Sequence, residues 1–324
     1  MKEKRRFYRW LIQSPTRRLN AKHNINIFGL EFNINPVAFS LFGWWDVYWY
    51  GIIITVGVIC AFLYGMKNAK RFEMNPDHIF NSFIVVLPVS ILSARAYYII
   101  FDPYMTFADF FNIGGRGFAG LAIYGGVIGA AITIFIMQRV YKFNILSALD
   151  ITSIGFLFGQ GIGRWGNFVN QEAYGTFTGS DWFGMTGSKI ASQMGSEALV
   201  HPCFLYESLW CIIGFFLLHH FSKKRRYKGQ LALMYGAWYG FERTFIELLR
   251  TDSLMLGNSG IRVSSLLSAL LCIACITVLV VMRKKITSKE SEKTYVPVFA
   301  EGESEAQTAT EELSNDVEID LSDE

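Results

Sequence analysis

Charge is what this sequence has least of: only 18% of its 324 residues are Asp, Glu, Lys or Arg, against 52% hydrophobic. Soluble domains carry about a quarter charged residues, so an ordinary soluble enzyme is excluded. Cysteine is also sparse. Cys60, Cys203, Cys211, Cys272 and Cys275 all lie within apolar runs, away from turns and paired histidines, which argues against a disulfide framework or a zinc site. Cys272 and Cys275 share a helix face and read as packing residues. A secretory leader is not expected, because Phe7–Ile12 is too short an apolar core and carries Arg9. The chain has no convincing internal repeat of the kind common in transporters. It also offers no plausible catalytic serine or cysteine of its own.

What is present is apolar length. A membrane span needs roughly 20 apolar residues, and seven segments qualify, near 47–66, 79–101, 118–137, 145–163, 203–221, 230–249 and 261–282. The predicted fold is an all-α polytopic membrane protein. Segment 145–163 reads as the weakest, since Asp150 and several glycines interrupt it; Asp150 itself reads as a structural cap or local pair. Basic residues follow alternate spans: Lys67, Lys70 and Arg71; Arg139 and Lys142; Lys223–Arg226 with Lys228; and Arg283–Lys285. Basic loops stay cytoplasmic, so the N-terminus is predicted outside and the C-terminus inside. The basic start runs against this orientation, but residues 27–46 contain no Lys or Arg, and the rule weighs charges within about 15–20 residues of a span. Residues 1–46 are expected as a basic extension on the membrane surface, 47–286 as the membrane domain, and 287–324 as an acidic, disordered tail.

The chemistry concentrates in Gly161-Ile-Gly-Arg-Trp-Gly-Asn-Phe-Val-Asn-Gln-Glu-Ala-Tyr-Gly175. An arginine, two asparagines and a glutamate among glycines gain nothing from lipid. The stretch is read as opening an outer loop over 164–200 that docks something polar and anionic. Span 6 places Arg243, Glu247 and Arg250 on one helical face by i, i+4, i+7 spacing. This is either a structural ion-pair ladder or, with two arginines around one carboxylate, a phosphate site. His201 and Pro202 open span 5, with Glu207 a buried-carboxylate candidate one turn inside. Arg95 late in span 2 is an interfacial anchor or a site residue. Tyr124, among the glycines of span 3, is expected to turn its hydroxyl toward the bundle interior.

Together these residues resemble the bacterial prolipoprotein diacylglyceryl transferases. Gly163–Gly175 is similar to that family's signature, Gly-Arg-x-Gly-Asn-Phe-x-Asn-x-Glu-x-x-Gly. Trp49-Tyr50-Gly51, Ala94-Arg95 with Tyr98, Gly120 with Gly125-Gly126, His201-Pro202 to Tyr206-Glu207, and Arg243-x-x-x-Glu247-x-x-Arg250 follow in order. The resemblance implies transfer of a diacylglyceryl group from phosphatidylglycerol to the lipobox cysteine of a preprolipoprotein signal peptide, at the outer leaflet. Glycerol 1-phosphate would leave. It implies no cofactor, no metal and no nucleic acid.

By that resemblance Arg164 and Arg243 are the phosphate ligands, and Asn167 and Asn170 serve the glycerol headgroup or hold the loop. Glu247 orients Arg243 and Arg250. Tyr50, Arg95, Glu172, Gly175, His201, Glu207 and Arg250 complete the substrate-binding set. The chain departs from the pattern at Tyr48, where arginine is frequent, and at Tyr124, where the family has a histidine proposed as general base. Tyr124 is therefore either a catalytic group or one that only positions substrates, with local positive charge favouring the thiolate. A small transporter and a non-catalytic assembly factor are the competing readings.

Overall fold

A computed structural model describes residues 23–42, 45–102, 110, 121–251 and 262–290. The basic stretch 1–22, Gly120 and the acidic tail from 291 lie outside the described residues. Among the described residues there are seven long helices: α1 (Trp49–Asn68), α2 (Pro76–Phe101), α3 (Ile123–Tyr141), α4 (Ile145–Asn170), α6 (Cys203–Ser222), α7 (Gln230–Leu249) and α8 (Val263–Glu290), with a short α5 (Ser188–Met194) between α4 and α6. Helices satisfy every backbone group internally, which lipid demands. Six of the seven are long and apolar enough to cross a membrane, α7 being the exception. The segment expected to be weakest, now α4, passes that test. The weaker span is α7, because it carries Glu242, Arg243 and Glu247.

Local sequence sets the helix starts. Asn75 caps α2 by accepting from the Asp77 amide at 2.8 Å, with Pro76 at the first helical position. Asn144 caps α4 by accepting from Leu146 N at 2.9 Å and Ser147 N at 3.2 Å. Of the six apolar spans α4 is the most buried, and it packs on α1, α6 and α7. The α2–α3 pair packs mainly on itself and touches α1 only lightly. Cys272 and Cys275 are free thiols whose side chains fill the hollows over Gly240 and Gly236 of α7, the packing role expected of them.

The N-terminal region differs from expectation. Residues 23–48 are not an appended extension but four strands, β1 (His23–Ile27), β2 (Leu30–Ile34), β3 (Val37–Leu41) and β4 (Trp45–Tyr48). Strands β2, β1 and β5 (Met185–Gly187) form one antiparallel sheet, with Ile25 opposite Gly187; β3 and β4 form a hairpin running into α1. The driving force is burial. Ile25 and Ile27 join Phe168, Val169, Met185, Ile190, Val200 and Phe204 in one apolar cluster over the ends of α4 and α6.

The predicted loop at 164–200 also begins later than expected. Arg164 through Asn170 are the last turns of α4, which ends at Gln171 with φ 51°. Gln171 is fully buried, and its Oε1 accepts from Lys189 N at 2.8 Å and Ile190 N at 3.3 Å.

At the opposite end Asp150, fully buried, accepts from Gly229 N at 2.8 Å, Ala232 N at 2.9 Å and Arg225 at 3.2 Å. Arg225 also reaches Glu73 at 2.9 Å and lies over the Phe72 ring. The structural role expected of Asp150 is what is observed. Arg225, counted among the topology-setting cations, is itself 5% exposed and belongs to this knot. Removing one partner of a buried pair costs about 3–5 kcal/mol, whereas an exposed pair contributes at most about 1 kcal/mol. Asp150→Ala should therefore lower the thermal unfolding midpoint of detergent-solubilised protein markedly, and Lys228→Ala, at the partly exposed rim beside Glu73, should leave it nearly unchanged.

Candidate active site

Three helices supply the polar centre. The last two turns of α4 present Arg164 and Asn167, α6 presents Glu207 one turn inside its start, and α7 presents Arg243 and Glu247 one turn apart. Glu207 is the common partner. Its Oε2 pairs with Arg164 Nη2 and lies 3.8 Å from Arg243 Nη1, and its Oε1 lies 3.9 Å from Arg250 Nη1. Glu247 Oε2 takes Arg243 Nη2 at 2.7 Å, the i, i+4 pair expected from the spacing. Arg262 donates to the Glu247 carbonyl, at the negative end of α7.

Burial orders these charges. The Glu207 and Glu247 side chains are 2% and 3% exposed, while Arg164, Arg243 and Arg250 are 21%, 18% and 13% exposed. The carboxylates stand behind and the guanidinium groups stand in front. Three guanidinium groups against two carboxylates leave a positive charge facing outward, and the planar forks suit a phosphate.

Arg250 reaches this cluster differently from the predicted helical face. It ends α7 with extended backbone (φ −72°, ψ 146°) and pairs as an isolated bridge with Gly175. Gly175 is thus a staple by geometry. Its amide donates to His201 O at 2.9 Å, and the next amide, Thr176, donates to Leu249 O at 2.8 Å. A Cβ on Gly175 would lie 2.8 Å from His201 Cβ and 3.1 Å from Leu249 O, so the close approach requires glycine. Gly166 has a similar role on α4, where a Cβ would lie 2.7 Å from the Tyr50 ring. The glycines of the signature within α4 serve helix packing rather than freeing backbone for a ligand.

The remaining candidates spread around this centre. Tyr50 stacks its ring against α4, within the electrostatic influence of Glu172 and Arg164. Asn170 ends α4, its carbonyl accepting from Lys189 Nζ at 2.9 Å, and the same ammonium meets Glu172 at 3.1 Å. His201 Nδ1 lies 3.2 Å from the Tyr206 hydroxyl, holding the start of α6. Two cavities lie along the helices that carry the cluster. One of about 380 Å³ is lined by Asn167, Glu172, Tyr174, Gln193 and Arg250. The other, of about 400 Å³, is almost wholly apolar and is lined by Trp49, Ile53, Val56, Trp165 and Ile212.

Two candidates lie apart. Tyr124 does not face the bundle interior: it is 70% exposed at the first turn of α3, its ring 6.4 Å from that of Tyr97. Arg95 is half-buried on α2, and no contact joins it to Glu207 among the described residues. The reason is packing: α2 and α3 form a pair beside the bundle that holds Glu207. Sequence reasoning missed Glu242, a buried carboxyl one residue before Arg243, together with Arg262 and Lys189. Glu242 was visible as an acid in an apolar span; Lys189 lies in a polar stretch that gives no signal.

The profile of one protein family, described as Prolipoprotein diacylglyceryl transferase, matches residues 36–281. Among curated relatives, the phosphatidylglycerol–prolipoprotein diacylglyceryl transferase of Pediococcus pentosaceus is 40% identical over 276 residues, 83% of this chain and 95% of its own length. Its namesake in Finegoldia magna is 42% identical, covering 79% of this chain and 99% of its own. A Clostridium perfringens enzyme of that name is 43% identical over 77% of this chain and 95% of its own. The match begins within the strand layer and runs into α8, so it takes in Arg164, Glu207, Arg243, Glu247 and Arg250 together. By its sequence over most of its length, this chain belongs to the prolipoprotein diacylglyceryl transferase family.

Proposed function

We propose that this protein transfers the diacylglyceryl group of phosphatidylglycerol to the lipobox cysteine thiol of preprolipoproteins, from the outer leaflet of the bacterial cell membrane. The names of its relatives support the reaction. The observation that carries the reading is the buried Glu207 drawing three guanidinium groups to one point, with a polar cavity beside Arg250 and an apolar one on α1, α4 and α6. A phospholipid has that same division: acyl chains, a phosphate and a polar headgroup.

The phosphodiester sits against Arg164 and Arg243, the acyl chains lie along the groove of Trp49 and Trp165, and the headgroup glycerol enters the cavity of Asn167. The substrate thiol attacks the glyceryl carbon, the carbon–oxygen bond breaks, and charge grows on the departing phosphate oxygen. Fixed guanidinium groups stabilise that charge without reorganising, which is the main electrostatic contribution available to such a site. Glu207 and Glu247 hold the arginines in place, and Arg250 completes the cradle from the polar side. The alternation of basic loops supports the outward placement of this end of the bundle.

Arg164→Ala and Arg243→Ala should each reduce transfer from labelled phosphatidylglycerol to a lipobox peptide by at least about 100-fold, as loss of one preorganised donor does elsewhere. Both variants should still insert, and retained activity in both would remove the phosphate cradle. Tyr124→Phe should stay within a few-fold of the parent in the same assay, since Tyr124 stands exposed on α3. A large loss there would return the proton-transfer role to Tyr124.

A further inference from the structure

Glu242 is the one buried carboxyl of the α7 face that the cradle leaves unexplained. It is 7% exposed, and its Oε1 has no hydrogen-bond partner. The charges of Arg164 on α4, Glu207 on α6 and neighbouring Arg243 act on it. It acts in turn on the Cys211 thiol of α6 and on Tyr235 of α7, whose hydroxyl donates to Gln160 at 3.4 Å. From α8, Ser268 and Cys272 close over the backbone at Gly240, bringing no formal charge. Glu242 is therefore a buried acid with an unpartnered oxygen, next to Arg243 on the helix that carries it.

Charge balance gives this position a meaning. With Glu207 and Glu247 ionised, Arg164, Arg243 and Arg250 leave one positive charge, which matches the single negative charge of a phosphodiester. Arg262, which donates to the Glu247 main-chain carbonyl at the end of α7, keeps its own charge and stands outside this count. An ionised Glu242 would cancel the surplus, while a protonated one preserves it and adds an O–H donor. The reaction also has a proton to move. The thiol loses it as the sulfur–carbon bond forms, and the phosphate oxygen that keeps the carbon–oxygen electron pair can take it.

We propose that Glu242 carries this proton: it is protonated while the lipid is bound, donates to the departing phosphate oxygen, and is reloaded from the attacking thiol. The S–H and C–O bonds break, the S–C and O–H bonds form, and Glu242 ends as it began, so no further reactant is needed. The assignment rests on the phosphate cradle proposed above, and it supplies the proton route that Tyr124, exposed on another helix, does not.

The test is Glu242→Gln, which keeps the shape and neutrality of the protonated acid but cannot pass a proton. Expected is a kcat for transfer to a lipobox peptide lowered by at least about 100-fold, within the range for a lost acid–base group. Binding of labelled phosphatidylglycerol in nanodiscs should stay within a few-fold of the parent, and Glu242→Asp should restore part of the rate with a displaced pH profile. Near-normal turnover in the glutamine variant overturns the proposal, as does a loss matched by equal loss of lipid binding. If the glutamine variant fails to fold, the aspartate variant decides, since an unchanged pH profile there also overturns it. Lipid binding retained by Arg164→Ala and Arg243→Ala would instead count against the cradle, and is read separately.

Discussion

Three guanidinium groups repel one another, and Glu207 is the carboxylate that all three share. Its carboxylate is nearly inaccessible and meets Arg164 from α4 and Arg243 and Arg250 from α7 and its end. A buried carboxylate is costly unless paired, and three arginines at a membrane edge are costly unless neutralised. Each liability offsets the other. The rest of the bundle can be understood as the scaffold that brings α4, α6 and α7 to this meeting point.

That scaffold is fixed at both ends of the bundle by polar groups rather than by apolar packing alone. At one end Gly175 and Thr176 join the start of α6 to the end of α7 through main-chain hydrogen bonds. At the other, Asp150 of α4 gathers the amides of Gly229 and Ala232 and the guanidinium of Arg225 from the α6–α7 connection. In lipid the hydrophobic effect does not drive helices together, so packing and internal hydrogen bonds must. Two polar ties on the same helix set leave little freedom for the distance between Arg164 and Arg243. The strand layer adds apolar burial where α4 and α6 emerge, at Phe168 and Phe204.

Much of this was legible in the sequence. Apolar length marked the seven long segments, and the i, i+4 spacing of Arg243 and Glu247 gave a pair that is present. What was not legible depends on contacts distant in the chain. Glu207 as the shared partner requires the crossover of α4, α6 and α7, which no spacing within one helix encodes. The helical end of α4 was hidden because glycine lowers helix propensity in water, whereas between helices it permits close approach, as at Gly166 and Tyr50. The four N-terminal strands were obscured by the basic start and by short alternating runs whose partner, Met185–Gly187, lies far along the chain. Tyr124 was misplaced because its glycine neighbours marked a helix contact without saying which helix.

The placement of α2 and α3 beside the bundle, rather than in it, changes how the family pattern should be applied to this chain. A histidine at the first turn of α3 would be an attractive general base if that turn faced the arginines. Here the turn carries Tyr124, exposed beside Tyr97. A group that takes a thiol proton must come within hydrogen-bond reach of it. The proton route is better sought among groups that share the cluster's own field. Of the buried acids there, Glu207 and Glu247 are held by arginines, and Glu242 alone keeps an oxygen without a hydrogen-bond partner or an ion pair among the described contacts.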